Sequence, residues 1–126
     1  MSIKNEVMER MENMEEKTPQ MFEIKENCLV IRLPEEIDHH ATQHIRRTAD
    51  MYLCDNRVQQ LVFDFAKTRF MDSSGIGLLM GRNEKISYLG GRTIVTNVCP
   101  RILRTLRFAG LDQELCMLNC EEEQTE

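Results

Sequence analysis

The order of three segments in the middle of the chain limits the possible folds more than any other feature. Residues 61–65 read Leu-Val-Phe-Asp-Phe, a short and mostly apolar run typical of a strand covered by helices. A helical pattern begins near Ser73, and residues 93–96 form another apolar run. A strand, a helix and a second strand in this order form a right-handed crossover between parallel strands. The central segments therefore predict an α/β domain.

The flanking segments extend this unit in both directions. Residues 22–24 and 29–33 are strand-like and are joined at Glu26-Asn27 too tightly for a crossover, so they are predicted to pair antiparallel. Residues 115–118 are a candidate edge strand. The expected buried stripes of three helices are Ala41, Ile45, Ala49 and Tyr52 or Leu53; Ile76, Leu79, Met80 and Ile86; and Ile102, Leu103 and Leu106. The prediction is a single domain at 20–120, with a mixed, mostly parallel β-sheet and helices packed against it.

Both ends of the chain differ in composition from this domain. Residues 1–18 are highly charged, with methionines spaced by three at Met8, Met11 and Met14. A solvated, partly disordered N-terminal extension is favoured over a weak amphipathic helix because large aliphatic residues are few. We expect this extension to be dispensable for folding. Residues 121–126 form an acidic tail.

Composition argues against several classes of function. The 126 residues carry a net charge of −5, which argues against general nucleic-acid binding but leaves a local basic patch open. No apolar run approaches the roughly 20 residues of a membrane span, and the first residues contain no signal-peptide core, so a cytoplasmic protein without membrane contact is expected. The five scattered cysteines include no Cys-x-x-Cys pair and predict free thiols. We expect neither a metal nor another cofactor.

Two serines stand where the central helix is predicted to start, in the sequence Asp72-Ser73-Ser74-Gly75. The open N–H groups and partial positive charge of a helix N-terminus stabilise an anion such as phosphate. Asp and Ser are also ordinary helix caps, and the local sequence alone favours capping. The segment is therefore either a cap or a site at which a phosphoserine is held.

Three glycines within the same predicted helix need an explanation. Gly75, Gly77 and Gly81 each lower helix stability by about 0.5–1 kcal/mol relative to alanine. Close packing of the helix on the sheet or a flat docking surface for a partner would offset that loss. We expect Gly77 to face a partner and Gly81 to face the sheet.

Enzymatic and metal-binding alternatives find less support. His39, His40 and His44 suggest a metal site, and His40 and His44 are one helical turn apart. No third ligand is identifiable, so a solvated or partner-facing helix start is favoured over a metal site. A serine hydrolase would need a general base and the elbow motif Gly-x-Ser-x-Gly, which is absent. Nucleotide-binding glycine motifs are also absent. The chain is predicted not to be an enzyme and to have no catalytic residue.

The serine segment carries a specific resemblance. The run Met71-Asp72-Ser73-Ser74-Gly75-Ile76-Gly77, followed by Gly81-Arg82, resembles the signature of anti-sigma factor antagonists of the STAS-domain family. Further matches lie at residues 31–33, 36–40, 89–91 and 108–111, and the Asp-His-His element points to the sporulation branch. The resemblance implies a STAS fold in which Ser73 is phosphorylated. The partner-binding residues that it implies are Asp38, Asp72, Ser74, Gly75 and Gly77.

The function implied by this resemblance is a regulatory switch. The dephosphorylated protein would bind an anti-sigma factor and release the sigma factor; that anti-sigma factor is also a serine kinase that phosphorylates Ser73, and a serine phosphatase resets the cycle. The alternative is a STAS phospho-switch module in another partner-switching or sensory complex, and a small hydrolase ranks third. Pro34-Glu35 and the more basic run Lys67-Thr68-Arg69 depart from the family pattern. These departures put the choice of partner in doubt, but not the fold.

Overall fold

The computed structural model of the chain describes residues 3–12, 20–55 and 57–120. Its strands are β1 (Phe22–Lys25), β2 (Cys28–Arg32), β3 (Glu36–Ile37), β4 (Gln60–Asp64), β5 (Phe70–Met71), β6 (Arg92–Thr96) and β7 (Cys116–Leu118). Its α-helices are α1 (Ile3–Glu12), α2 (His39–Asp55), α3 (Ser73–Tyr88) and α4 (Pro100–Phe108), and a short 3-10 helix covers Leu111–Gln113.

The main sheet has the strand order β1-β2-β4-β6-β7. β1 is antiparallel to β2 across the predicted two-residue turn, where Glu26 adopts a φ of 55°. The pairs β2–β4, β4–β6 and β6–β7 are parallel, as right-handed crossovers require. The predicted mixed, mostly parallel sheet with packed helices is confirmed.

One face of this sheet carries the main core. Alternate strand residues such as Leu29, Ile31, Leu61 and Phe63 point to this face and are fully buried. Helices α2, α3 and α4 cover it with apolar stripes. The buried residues of those stripes are Ile45, Ala49 and Leu53; Leu78, Leu79 and Ile86; and Ile102, Leu103 and Leu106.

The opposite face of the sheet is covered by α1, which corrects the interpretation of residues 3–12 as a solvated extension. Val7 is fully buried there, with Ile3 and Met11 packed at its sides. The apolar strand residues beneath α1 are Cys28, Val30, Val62, Ile94 and Leu118. These apolar strand residues must be shielded from water, and α1 shields them with an apolar stripe that has the buried Val7 at its centre.

Arg10 fixes α1 at the edge of that face. Its guanidinium donates hydrogen bonds to the side-chain oxygens of Asn27 and, at 2.7 Å, of Gln60, and it forms an ion pair with Glu6 at 3.3 Å. Residues 13–18, Met14 among them, and the acidic tail 121–126 lie outside the described residues. None of the helices in the described ranges combines the length and apolarity of a membrane span.

Candidate functional site

A two-stranded ladder positions the serine segment. β3 pairs parallel with β5, so that Ile37 lies opposite Met71, and the backbone N–H of Asp72 donates to the carbonyl oxygen of Ile37 at 3.1 Å. The backbone N–H of Arg69 donates to the carbonyl of Glu35 at 2.8 Å. Sequence reasoning missed both strands, because two residues are too few to show periodicity. The ladder brings together the ends of two loops that are far apart in sequence.

Each strand of this ladder is followed by an aspartate that starts a helix. Asp38 accepts a hydrogen bond from the backbone N–H of Ala41 at 2.8 Å at the start of α2, as predicted. Asp72 accepts one from the backbone N–H of Ser74 at 2.9 Å at the start of α3. Because Ile37 and Met71 are in register, the structure brings these two predicted site residues to adjacent helix starts.

Hydrogen bonds around Asp72 keep its carboxyl group ionised. The Ser74 hydroxyl also donates to the Asp72 carboxylate. This side-chain hydrogen bond is the main cause that lowers the pKa of Asp72, and backbone donation by Ser74 and Gly75 and the nearby His39 lower the pKa further. A negative charge is therefore already present at the start of α3.

The two serines are in different environments. Ser74 is half-buried and engaged with Asp72, so it acts as part of the cap. Ser73 is exposed at the first position of α3, and its hydroxyl makes no hydrogen bond to any residue in the described ranges. Of the two hydroxyls, that of Ser73 is accessible to another protein.

The glycine that packs inside the domain is Gly75. A Cβ atom there would lie 2.2 Å from Cγ and 2.5 Å from Sδ of Met71, whereas Cβ atoms at Gly77 and Gly81 would meet nothing within 4 Å. The expectation that Gly81 faces the sheet is therefore wrong. The buried positions of α3 are Gly75, Leu78, Leu79, Arg82 and Ile86, so Gly81 falls outside the packed face.

The outer face of α3 is partly apolar. Ser73, Gly77 and Met80 follow one another at helical spacing and are exposed, and Met80, which was expected in the core, has 49% of its surface exposed. Phe70, just before the serine segment, is 47% exposed. We call Phe70, Ser73, Gly77 and Met80 the serine face. Two exposed apolar side chains therefore flank the exposed hydroxyl of Ser73 along the chain.

A partly buried ion pair links α3 to α2. Arg82 is 5% exposed, and its Nε lies 3.0 Å from Oδ1 of Asp50, while Lys85 Nζ lies 2.9 Å from the other oxygen. The Arg82 N–H does not point well at the carboxylate, so the attraction is mainly between charges. Burial lowers the pKa of Arg82, and Asp50 opposes that effect. Arg82, quoted in the motif, therefore orients the helix that carries Ser73.

The departures from the family pattern are accommodated without strain. Thr68 is fully buried and donates its hydroxyl to the carbonyl of Pro34 at 2.8 Å, so it joins the two loops. Glu35 does not have a positive φ, and no glycine is required there. Lys67 and Arg69 are exposed and make the approach to the serine face basic.

The three histidines lie at the exposed start of α2. His39 Nε2 is 3.1 Å from Gln43 Nε2, one turn further along the helix. Among the residues that the structure describes, no group of three or more His, Cys, Asp or Glu side chains could hold a metal ion.

Comparison with known proteins identifies relatives over most of the chain. The family model described as the STAS domain matches residues 20–124. An anti-sigma F factor antagonist from Lysinibacillus sphaericus is 34% identical over 105 residues, which are 83% of this chain and 88% of the relative. Another from Paenibacillus polymyxa is 35% identical over 83 residues, 66% of this chain and 71% of the relative.

Solved structures give the same result. The anti-sigma factor antagonist SpoIIAA in its unphosphorylated form is 33% identical, with a TM-score of 0.71 over 81% of this chain and 87% of that one. The phosphorylated form of the Bacillus cell fate determinant SpoIIAA is also 33% identical, with a TM-score of 0.66 over 81% and 90%. The resemblance found in the serine segment is thereby confirmed at the level of family and fold.

Proposed function

The chain belongs to the STAS domain family, and we propose that it is an anti-sigma factor antagonist that is switched off by phosphorylation of Ser73. Its dephosphorylated form binds an anti-sigma factor through the serine face and so releases a sigma factor. The relatives named as antagonists of an anti-sigma factor support this role. The observation that carries the proposal for this chain is the exposed, unengaged hydroxyl of Ser73 within a partly apolar surface.

The position of Asp72 determines what a phosphate on Ser73 would do. Asp72 already accepts from the backbone N–H of Ser74 through its carboxylate and from that of Gly75 through its carbonyl. A phosphate therefore finds these donors of the first turn occupied. It would project from the helix start rather than be held there.

The switch then acts through charge at an interface. Phosphorylation adds about −1.5 to −2 charges beside an ionised aspartate. Like charges and desolvation across an interface cost several kcal/mol, which changes affinity by orders of magnitude. Because the ladder and both caps remain in place, the switch requires no refolding.

Reversible phosphorylation of Ser73 requires a kinase and a phosphatase as partners. The anti-sigma factor is proposed to be the serine kinase that supplies ATP and modifies Ser73, and a serine phosphatase reverses the step. No catalytic group is assigned to this chain, and we propose that it acts in the cytoplasm without binding DNA directly. The partner-binding roles of Asp38, Asp72, Ser74, Gly75 and Gly77 remain predictions. Because Gly75 is buried, its contribution would be to let α3 approach Met71 rather than to touch a partner.

A phosphorylation assay tests the proposal. The protein is mixed with ATP and the candidate anti-sigma kinase, and modified peptides are mapped by mass spectrometry. Ser73→Ala should abolish incorporation and leave the melting temperature nearly unchanged, because the side chain is exposed. Ser74→Ala is the matched control and should still be phosphorylated. Strong labelling of the Ser73→Ala variant would refute the assignment.

A further inference from the structure

A hollow between α2 and α3 lies apart from the surface that the proposed switch uses. Its volume is about 610 Å³, within the range of roughly 300–1,000 Å³ that small-molecule sites occupy. The C-terminal halves of the two helices line it, from Asp50 to Cys54 on α2 and from Gly81 onward on α3. Gly81 is eight residues, or about 12 Å, along α3 from Ser73. The four residues of the serine face do not belong to this lining.

Most of the lining is apolar. Leu53 of α2 is only 6% exposed, whereas Leu89 and Tyr88 at the end of α3 are 59% and 91% exposed. The exposed thiol of Cys54 completes this part of the lining. Aliphatic side chains and a phenol ring offer a favourable contact to a flat, apolar molecule.

Gly81 leaves space in the hollow unfilled. A Cβ atom at this position would meet nothing within 4 Å, and Gly81 does not have a positive φ. Neither close packing nor backbone conformation therefore accounts for a residue that lowers helix stability relative to alanine. Because Gly81 is part of the lining, a large side chain at this position would occupy the hollow.

The polar part of the lining has more hydrogen-bond donors than acceptors. The two oxygens of Asp50 already lie 3.0 Å from Arg82 Nε and 2.9 Å from Lys85 Nζ. The Nη1 atom of Arg82 has no acceptor within the described ranges, and the half-exposed ammonium of Lys85 carries further N–H groups. The second acid of the lining, Glu84, is exposed to water. A molecule in the hollow is therefore expected to supply an acceptor.

We propose that this hollow binds a small aromatic acid. Its ring would lie against Leu53, Tyr88 and Leu89, in the space that Gly81 leaves open, and its acidic group would accept a hydrogen bond from Lys85. The site would give the domain a second binding function, at a distance from Ser73. It does not depend on the proposed phosphorylation or on the anti-sigma factor.

Titration of the full chain with anilinonaphthalene sulfonate tests the proposal. This probe has an aromatic body and one acidic group, and N-phenylnaphthylamine supplies a similar body without charge. The acid should shift the amide resonances of 53–54 and 81–89 and leave those of 3–12 in α1 unchanged. Gly81→Leu should abolish binding of both probes. Ser87→Leu adds the same side chain at an exposed position of α3 outside the lining, and both probes should still bind.

The acidic group is tested separately from the ring. Lys85→Met should weaken binding of the acid about two- to fivefold, as loss of a partly exposed ion pair does, and leave binding of N-phenylnaphthylamine unchanged. Lys4→Met removes the same charge from an exposed position of α1 and should change neither. Circular dichroism verifies that all variants are folded. In the wild type, bound acid should slow the alkylation of Cys54 by iodoacetamide but not that of Cys116, a measurement that requires no variant.

Several results would overturn the proposal. They are a wild type that does not bind the acid, resonance shifts that map to the serine face, and a Gly81→Leu variant that binds as the wild type does. Unchanged affinity of Lys85→Met for the acid would refute the place assigned to the acidic group. A concentration-dependent mass in sedimentation that disappears in Gly81→Leu would also overturn the proposal, because a second copy of the chain would then occupy the hollow.

Discussion

Replacing the three glycines of α3 by alanine should separate packing from docking. At Gly75 the new Cβ would sit 2.2 Å from Cγ of Met71, which is itself only 8% exposed and has little room to move. Overpacking of this kind typically costs about 1–3 kcal/mol, against a gain of about 1 kcal/mol from replacing glycine in a helix. We expect Gly75→Ala to lower the free energy of unfolding by as much as about 2 kcal/mol.

At Gly77 and Gly81, substitution by alanine should raise the free energy of unfolding rather than lower it. Neither Cβ would meet any atom within 4 Å, so only the helix-propensity gain of about 0.5–1 kcal/mol remains. A change of 1 kcal/mol shifts the melting temperature of a domain of 60–100 residues by about 4–8 °C, which thermal unfolding resolves easily.

Binding distinguishes the two exposed glycines. Gly77 lies in the serine face between Ser73 and Met80, so Gly77→Ala should weaken binding to the anti-sigma factor while raising stability. Gly81→Ala should raise stability without affecting binding, which makes it the matched control. If Gly75→Ala is more stable than the wild type, as expected for an exposed glycine, the packing argument is wrong; if Gly77→Ala binds normally, Gly77 is not at the docking surface.

Three further measurements test other parts of the structure. Val7→Ala should lower the free energy of unfolding by about 1.5–2 kcal/mol, from roughly 0.8 kcal/mol per buried methylene, and an unchanged denaturation midpoint would mean that α1 does not pack on the sheet. Ser74→Ala should raise the pKa of Asp72 in a carbon-detected titration by removing its main hydrogen bond. Because the folded-state pKa is depressed, the stability gained from the ionised carboxylate is present above the unfolded pKa and lost as pH falls through the folded value. That contribution should shrink in the variant, and an unchanged pKa would contradict the role of the hydroxyl. Burial raises the pKa of Cys28 to about 11, so iodoacetamide at pH 8 should label exposed Cys54 first and Cys28 only on unfolding; early labelling of Cys28 would contradict its burial.

The larger elements could be predicted from the sequence because each has its own periodic signal. The hairpin at Glu26-Asn27, the helix capped by Asp38 and the crossover through α3 all follow from local patterns and from the rule for parallel strands. α1 could not be predicted in this way. Its single central valine, Val7, is meaningful only once a second apolar face of the sheet exists for it to cover.

The candidate site also could be predicted only in part from local sequence patterns. The exposed position of Ser73 at a helix start could be predicted, but the ladder that places it beside Asp38 could not, because two paired residues leave no pattern. The predicted orientation of α3 was wrong at Met80 and Gly81 because Arg82 was not expected to be buried. Arg82 is buried where it pairs with Asp50. Because successive residues of a helix are about 100° apart, a buried Arg82 places Gly81 and Met80 on other sides of α3.

The cover that α1 provides limits the routes by which any partner can reach this domain. Within the described residues, helices cover both faces of the sheet, and the edge strands β1 and β7 are four and three residues long. Strands this short are poor templates for adding a strand from another chain. Neither face of the sheet nor its edges therefore offer an obvious route to association, and the proposed contact is made instead at the rim where β3 and β5 lead into two helix starts. In the proposed switch, the hydroxyl of Ser73 would control a contact made at this rim.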